Sequence, residues 1–185
     1  MSATDERPLL LARHGETADN AARRFQGARN PPLNARGFEQ AAALAEQLRG
    51  EEIAALWASP LLRAAQTAEV VSEVIGLPVV LDDRLREIDV GDWAGRSYAE
   101  VLLEQPGELE RWAAGDLDFR FPGGESLAEQ SARVVEVLEE IRAGVVPALV
   151  VCHGGVIRVA QRALGRGVVE DAELAQVGNG TVHRL

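Results

Sequence analysis

The sequence is poor in several things, and each shortage closes a class of explanation. It has one cysteine in 185 residues, Cys152, so no internal disulfide can staple it. No apolar run approaches the roughly 20 residues that a membrane helix requires. The opening stretch carries Asp5 and Glu6 and only a short apolar run, Leu9–Ala12, which is not the pattern of a secretory signal, and a cytoplasmic location is expected. Repeats, linkers and blocks of like charge are missing. Basic residues are outnumbered, 19 against 29 acidic ones, for a formal net charge of -10 at pH 7. Such a field repels nucleic acid and anionic membrane at long range, so neither is an expected partner. A phosphate ester would have to be held by a local group of arginines working against the whole molecule.

What is present reads as an ordinary globular domain. Hydrophobic residues make up 46% and charged residues 26%, and residues 1–185 are enough for one domain with a full core. Apolar strand-like runs alternate with longer helical segments, the signature of a layered α/β fold. Pro8 to Arg13 barely alternates and reads as a strand buried on both faces. Asn34 caps a helix to about Leu48 with Phe38, Ala41, Ala45 and Leu48 on one face, stopped at Gly50. Ala54 to Ala58 is a second strand. Ser59 as N-cap and Pro60 at the first helical position open a helix to about Ile75. Val79 to Leu81 is a short third strand. Ser97 with Glu100, and Ser126 with Glu129, form capping boxes, and the second opens a helix to about Ala143. Ala148 to Cys152 is the clearest strand in the chain, followed by a helix from about Val156 to Leu164 and a last strand within Thr181–Leu185. Residues 93–125 are helical in pieces and read as an excursion above the sheet that forms part of a substrate mouth.

In open α/β sheets, ligands bind outside the carboxyl ends of the strands. After the first strand come Arg13, His14, Gly15, Glu16 and Thr17, and after the second Ser59, Pro60 and then Arg63. Near the third come Arg86 and Glu87, and after the clearest strand His153, Gly154 and Gly155. Two histidines, two arginines and a carboxylate thus converge on one edge. That is a phosphate site with acid–base machinery. Taken singly, each has a plainer reading: a turn histidine, surface arginines, a loop ion pair for Glu87, a core histidine at 153.

The same residues carry a resemblance. Arg13-His14-Gly15-Glu16-Thr17, the segment Ser59 to Ala68, Arg86-Glu87-Ile88-Asp89 with Gly91, Trp93 and Gly95, Gly123-Gly124-Glu125-Ser126, His153-Gly154-Gly155 and Asn179-Gly180-Thr181 match, in order, the motifs of the histidine phosphatase (phosphoglycerate mutase-like) superfamily. The resemblance implies that family's three-layer sandwich, a mostly parallel central sheet flanked by helices. It implies that a ring nitrogen of His14 attacks phosphorus, needing a neutral imidazole, and that Glu87 protonates the leaving group. Arg13, Arg63 and His153 would stabilise the transferring phosphoryl oxygens. Asn20, Gln26 and Gly27 would line the pocket, with Gly154 allowing close approach of backbone. Glu16, Thr17, Cys152 and His183 read as structural, and packing is the plainer role for Trp93, Trp112, Phe119 and Phe121. The chain departs from the family pattern at Asn34, where many relatives carry Thr or Ser, and at Ala94, where Glu is common.

The expected activity is hydrolysis of a small phosphorylated metabolite, without metal or other cofactor. Mutases resembling this chain carry a longer segment after the general acid and a tail that closes the site, so the phosphatase reading leads. A mutase or a non-catalytic binder of phosphorylated ligands is the alternative, as is a metal held by His14, Glu16 and His153, which the neighbouring arginines oppose. The wall should come from Asn20 to Arg29 and Trp93 to Phe121, with Arg24, Arg29, Arg111 and Arg120 as substrate contacts or solvated charges. Edge-strand pairing into a homodimer is compatible with the pattern.

Overall fold

The structure, a computed structural model, describes residues 8–165 and 177–185. Its strands are β1 (Leu9–Arg13), β2 (Ala55–Ala58), β3 (Val79–Leu81), β4 (Ala148–Cys152) and β5 (Val182–Arg184). They form one sheet in the order β3-β2-β4-β1-β5. All neighbours run parallel except β5, which pairs antiparallel with β1. β1 and β4 sit inside the sheet and are apolar except for Arg13 at the end of β1, as strands covered on both faces must be.

The helices are α1 (Ala18–Ala21), α2 (Ala35–Gln47), α3 (Leu62–Ile75), α4 (Tyr98–Glu104), α5 (Pro106–Ala114), α6 (Leu127–Ala143) and α7 (Gly154–Leu164). Val134, Val137, Leu138, Val156 and Ile157 of α6 and α7 cover one face of the sheet with Leu9, Leu11 and Val150. Leu44, Ala45, Ala64, Ala68 and Val71 of α2 and α3 cover the other with Leu10, Leu56 and Leu149. The architecture is therefore the three-layer α/β sandwich expected. Among the described residues, no helix is long and apolar enough to cross a membrane.

Two local expectations give way. Helix α2 buries Gly37, Ala41, Leu44 and Ala45, while Phe38 points outward at 43% exposure. Ala41, Ala45 and Leu48 are buried as expected, but Gly37 takes the inward place given to Phe38, because a glycine lets the helix lie against the turn after β1. Helix α3 starts at Leu62, not Pro60, and has no side-chain cap. The Ser59 hydroxyl is spent elsewhere: it accepts from Leu61 N at 3.3 Å and bonds His153. By contrast, the capping boxes at Ser97/Glu100 and Ser126/Glu129 both form.

The excursion has an apolar centre of its own. Trp93, Phe119 and Phe121 are fully buried, with ring centroids 4.9 to 5.8 Å apart, and they pack with Ile88, Val90, Val101 and Leu109. Burying each such side chain contributes about 1.5–3 kcal/mol. That is enough to fix α4 and α5 as a wall instead of a loose loop.

Candidate active site

Three adjacent parallel strands, β2, β4 and β1, end at one edge, and the first residues past them are Ser59, His153 and His14. Ladder-type bonds hold these turns: His14 N donates to Cys152 O at 3.0 Å and Ser59 N to Val151 O at 3.0 Å. The turn after β1 is braced from two more sides. Gly15 N donates to Thr67 Oγ1 on α3 at 3.1 Å. Asn179 Nδ2 donates to His14 O at 3.0 Å, and Gly180 N to Arg13 O at 3.0 Å.

His14 is buried, and its Nδ1 lies 2.7 Å from Gly15 O. A carbonyl only accepts, so Nδ1 carries the hydrogen and the lone pair of a neutral ring is on Nε2. Burial first, then Arg63 and Arg13, push the His14 pKa well below its ordinary value, against a smaller opposing effect of the Gly15 carbonyl. The ring is thus held neutral, with one tautomer.

His153 lies behind it, ring centroids 5.2 Å apart, and is not on the cavity surface. Its Nε2 is 2.8 Å from Ser59 Oγ. Since Ser59 Oγ already accepts from Leu61 N, its hydroxyl is free to donate to Nε2, which leaves the hydrogen of a neutral His153 on Nδ1. Burial, then Arg63, His14 and Arg13, lower the His153 pKa as well. His153 Nδ1, Arg13 Nε and Arg63 Nε are all buried without a hydrogen-bond partner among the described residues. Each such donor costs about 1–3 kcal/mol, and an anion over His14 would meet Arg13 and Arg63 on the cavity wall with His153 behind them.

The remaining donors of the two arginines are anchored. Arg63 gives Nη1 to Arg29 O at 2.7 Å and Nη2 to Gly27 O at 3.0 Å, and Arg13 gives Nη1 to Val177 O. Burial brings the Arg63 pKa down to about 10, with Glu87 opposing. Glu87 is fixed by three donors: Ile88 N at 3.0 Å and Gln130 Nε2 at 3.3 Å to Oε1, and Gly155 N at 3.1 Å to Oε2. The carboxylate faces Gly155 so closely that a Cβ there would overlap Oε1 and lie 2.7 Å from Gln130 Nε2. The close-approach glycine is therefore Gly155. Gly154 is off the cavity, and a Cβ on it would make only ordinary contact, 3.7 Å from Arg13 Nε.

A cavity of about 480 Å³ opens over Arg13, His14, Arg63 and Glu87. Asn20, Gln26 and Gly27 line it as expected. Asn20 is oriented by its capping box with Thr17, so Thr17 serves the loop and not the cavity. Glu16 is turned away, accepting from Asn34 Nδ2 at 2.9 Å, which removes it from any shared ligand set with the two histidines. Of the four arginines named for the wall, only Arg24 is there. Arg29, Arg111 and Arg120 pair with Asp19, Asp116 and Glu129 instead. The sequence reading missed two others, Arg158 and Arg162 on α7, together with Gln130 and Leu127 on α6. Of the aromatic residues considered for the mouth, Trp112 lines it, whereas Trp93, Phe119 and Phe121 are core. Cys152 is buried, and burial pushes its thiol pKa up, so it is no nucleophile.

Known proteins show the same pattern. Residues 9–185 match the histidine phosphatase superfamily (branch 1). The chain is 40% identical over 134 residues to Phosphoserine phosphatase 1 of Hydrogenobacter thermophilus, covering 72% of this chain but 64% of that protein, under two thirds of its length. It is 40% identical over 149 residues to "Probable phosphoglycerate mutase GpmB" of Salmonella choleraesuis, covering 79% of this chain and 69% of that one. A solved mycobacterial glucosyl-3-phosphoglycerate phosphatase, in complex with VO3, superposes with a TM-score of 0.84 at 32% identity, over 96% of this chain and 90% of that one. Sequence, fold and relatives agree, and the chain belongs to the histidine phosphatase superfamily.

Proposed function

We propose that the protein is a metal-independent phosphomonoester hydrolase that works through a phosphohistidine on His14. The observation that carries this reading is the neutral His14, tautomer fixed by Gly15 O, beside three buried unpartnered donors on Arg13, Arg63 and His153.

The ester phosphate enters with its oxygens toward those donors, whose desolvation has already been met in folding. His14 Nε2 attacks phosphorus in line. The P–N bond forms as the P–O bond to the leaving group breaks, and Glu87, carrying a proton, delivers it to the departing oxygen. Glu87 then takes a proton from water as that water attacks the phosphohistidine, and the P–N bond breaks to release inorganic phosphate and neutral His14. Gln130, Ile88 N and Gly155 N keep the carboxyl group in place through both steps. The rim residues Arg24, Tyr98 and Arg162 are exposed, so water reaches the intermediate, which favours hydrolysis over transfer to a second substrate.

The test is phosphate release from a panel of phosphoesters in excess EDTA, with acid-labile, alkali-stable labelling of the protein by a 32P-phosphoester. Wild type is expected to hydrolyse at least one ester and to be labelled, and His14→Ala to do neither. Activity abolished by EDTA, or a His14→Ala enzyme with undiminished turnover, overturns the mechanism.

A further inference from the structure

All 19 basic residues of this chain are arginines, and most have a carboxylate to face: Arg24, Arg29, Arg84, Arg111, Arg120 and Arg133 are examples. In a chain with so large an acidic excess, cavity-lining arginines without a direct ion pair among the described residues are informative. Arg13 and Arg63 are two of them, and they hold the phosphate cradle. Arg158 and Arg162 are two more. Neither has a carboxylate within ion-pair distance among the described residues, and both line the same cavity.

Their positions are not accidental to one another. They lie one helical turn apart on α7, hence on one face, and α7 starts at the Gly154–Gly155 turn under the cradle. Arg158 Nη2 and Arg13 Cζ lie within 3.9 and 3.8 Å of a single point, the Cβ position of Gly154. Arg158 is therefore the next cation outward from the phosphate site. Its guanidinium is also held over the Trp112 ring, 5.7 Å from the centroid, which orients the planar fork without using its donors. Arg162 continues the line toward the rim, packed beside Gly115. Glu87 attracts Arg13 and Arg158 without pairing directly with either, its oxygens being taken by Ile88, Gln130 and Gly155, while Arg162 repels Arg158, and an anion beside these two arginines relieves that repulsion. Arg24, the other arginine on the wall, is already engaged by Glu100 at 3.5 Å and by Gly95 O at 2.8 Å.

We propose that Arg158 and Arg162 form a second anion subsite, so that the substrate is a small phosphomonoester bearing another acidic group, a carboxylate or a second phosphate, on the side away from the scissile bond. This rests on the phosphatase reading for its substrate language, but the subsite can be tested without turnover. The geometry of a bidentate guanidinium suits either group.

The experiment compares matched pairs that differ only in the second charge: 3-phosphoglycerate with glycerol 3-phosphate, and fructose 1,6-bisphosphate with fructose 6-phosphate. The wild-type kcat/KM ratio should favour the acidic member of at least one pair by about tenfold or more. The double variant R158Q/R162Q should bring that ratio to near one, whatever it does to the absolute rates, and Arg49→Gln, a charge removed from the turn after α2 and outside the cavity wall, should leave the ratio as it was. Which pair responds tells carboxylate from phosphate. The same pairs are titrated calorimetrically into His14→Ala, with and without R158Q/R162Q. An enzyme that hydrolyses nothing yet binds the acidic member more tightly, through these arginines, would sink the phosphatase reading and keep the subsite. Equal binding and equal kcat/KM within both pairs, or a preference that survives R158Q/R162Q, overturns the subsite itself.

Discussion

Glu87 is held by three donors and looks into the cavity that His14 borders, so its removal should act on the leaving group before it acts on anything else. In Glu87→Gln the side chain keeps its size but cannot give up a proton, and its NH2 must turn from at least one of the three donors. We expect kcat on alkyl phosphates to fall by about 10²–10⁴-fold. With p-nitrophenyl phosphate, whose leaving group departs without a proton, the first step should survive and the second stall, giving a burst of nitrophenol followed by slow turnover. Equal losses on both esters with no burst would show that Glu87 is only a structural anchor. The residues of this cluster were legible because the motifs put them directly after strands, where the sheet delivers side chains to one edge. Arg158, Arg162 and Gln130 were not, because they stand on helix faces whose rotation about the axis depends on packing. Ser59 was misread for a related reason: Ser followed by Pro is a good local start to a helix, but the hydroxyl finds a stronger partner in a histidine distant in sequence, and the helix begins two residues later.

At the scale of elements, the turn after β1 is set by how closely α2 can approach it. Gly37 sits in the first turn of α2, and a Cβ there would overlap Glu16 O and lie 2.9 Å from Glu16 N, far inside contact distance. Asn34 contributes twice to the same junction. Its Oδ1 accepts from Gly37 N at 2.8 Å, capping the helix, and its Nδ2 donates to Glu16 Oε1. A Thr or Ser would cap but could not reach back as an amide donor does, so the departure from the family pattern at this position has a local purpose. Gly37→Ala should force the helix and the His14–Glu16 turn apart, destabilising the protein by about 1–3 kcal/mol and lowering kcat, read as a drop in the urea midpoint alongside initial rates. An unchanged midpoint would mean that the turn yields at no cost and does not set the position of His14. Most helix limits were readable from caps and glycines, because those signals are local. The outward turn of Phe38 was not, since the contact that puts Gly37 inward is with Glu16, a residue distant in sequence.

For the molecule as a whole, the site makes the fold sensitive to mild acid. His14 and His153 are buried neutral with pKa values well below the ordinary 6.5, and burial lowers His183 too. Unfolding returns each to about 6.5, so below that pH the unfolded chain binds protons that the folded one refuses. Stability is therefore fully present above about pH 6.5 and is lost as the pH falls toward the folded values, at up to about 1.4 kcal/mol per pH unit for each fully buried histidine. The paired carboxylates work at a lower pH. Arg120 holds Glu129 at about 2, and Arg84 and Ser97 lower Asp82 and Glu100, so their loss begins only near and below the ordinary carboxylate range. The window between about pH 6.5 and 5 thus reports the histidines. Urea midpoints measured across it should fall steeply in wild type, and His14→Gln and His153→Gln should each flatten the curve even though both start from a lower stability. A wild-type midpoint that stays level to pH 5 would mean that one or both rings accept a proton in place, and with it that His14 does not remain a neutral nucleophile under the conditions where the cradle is filled.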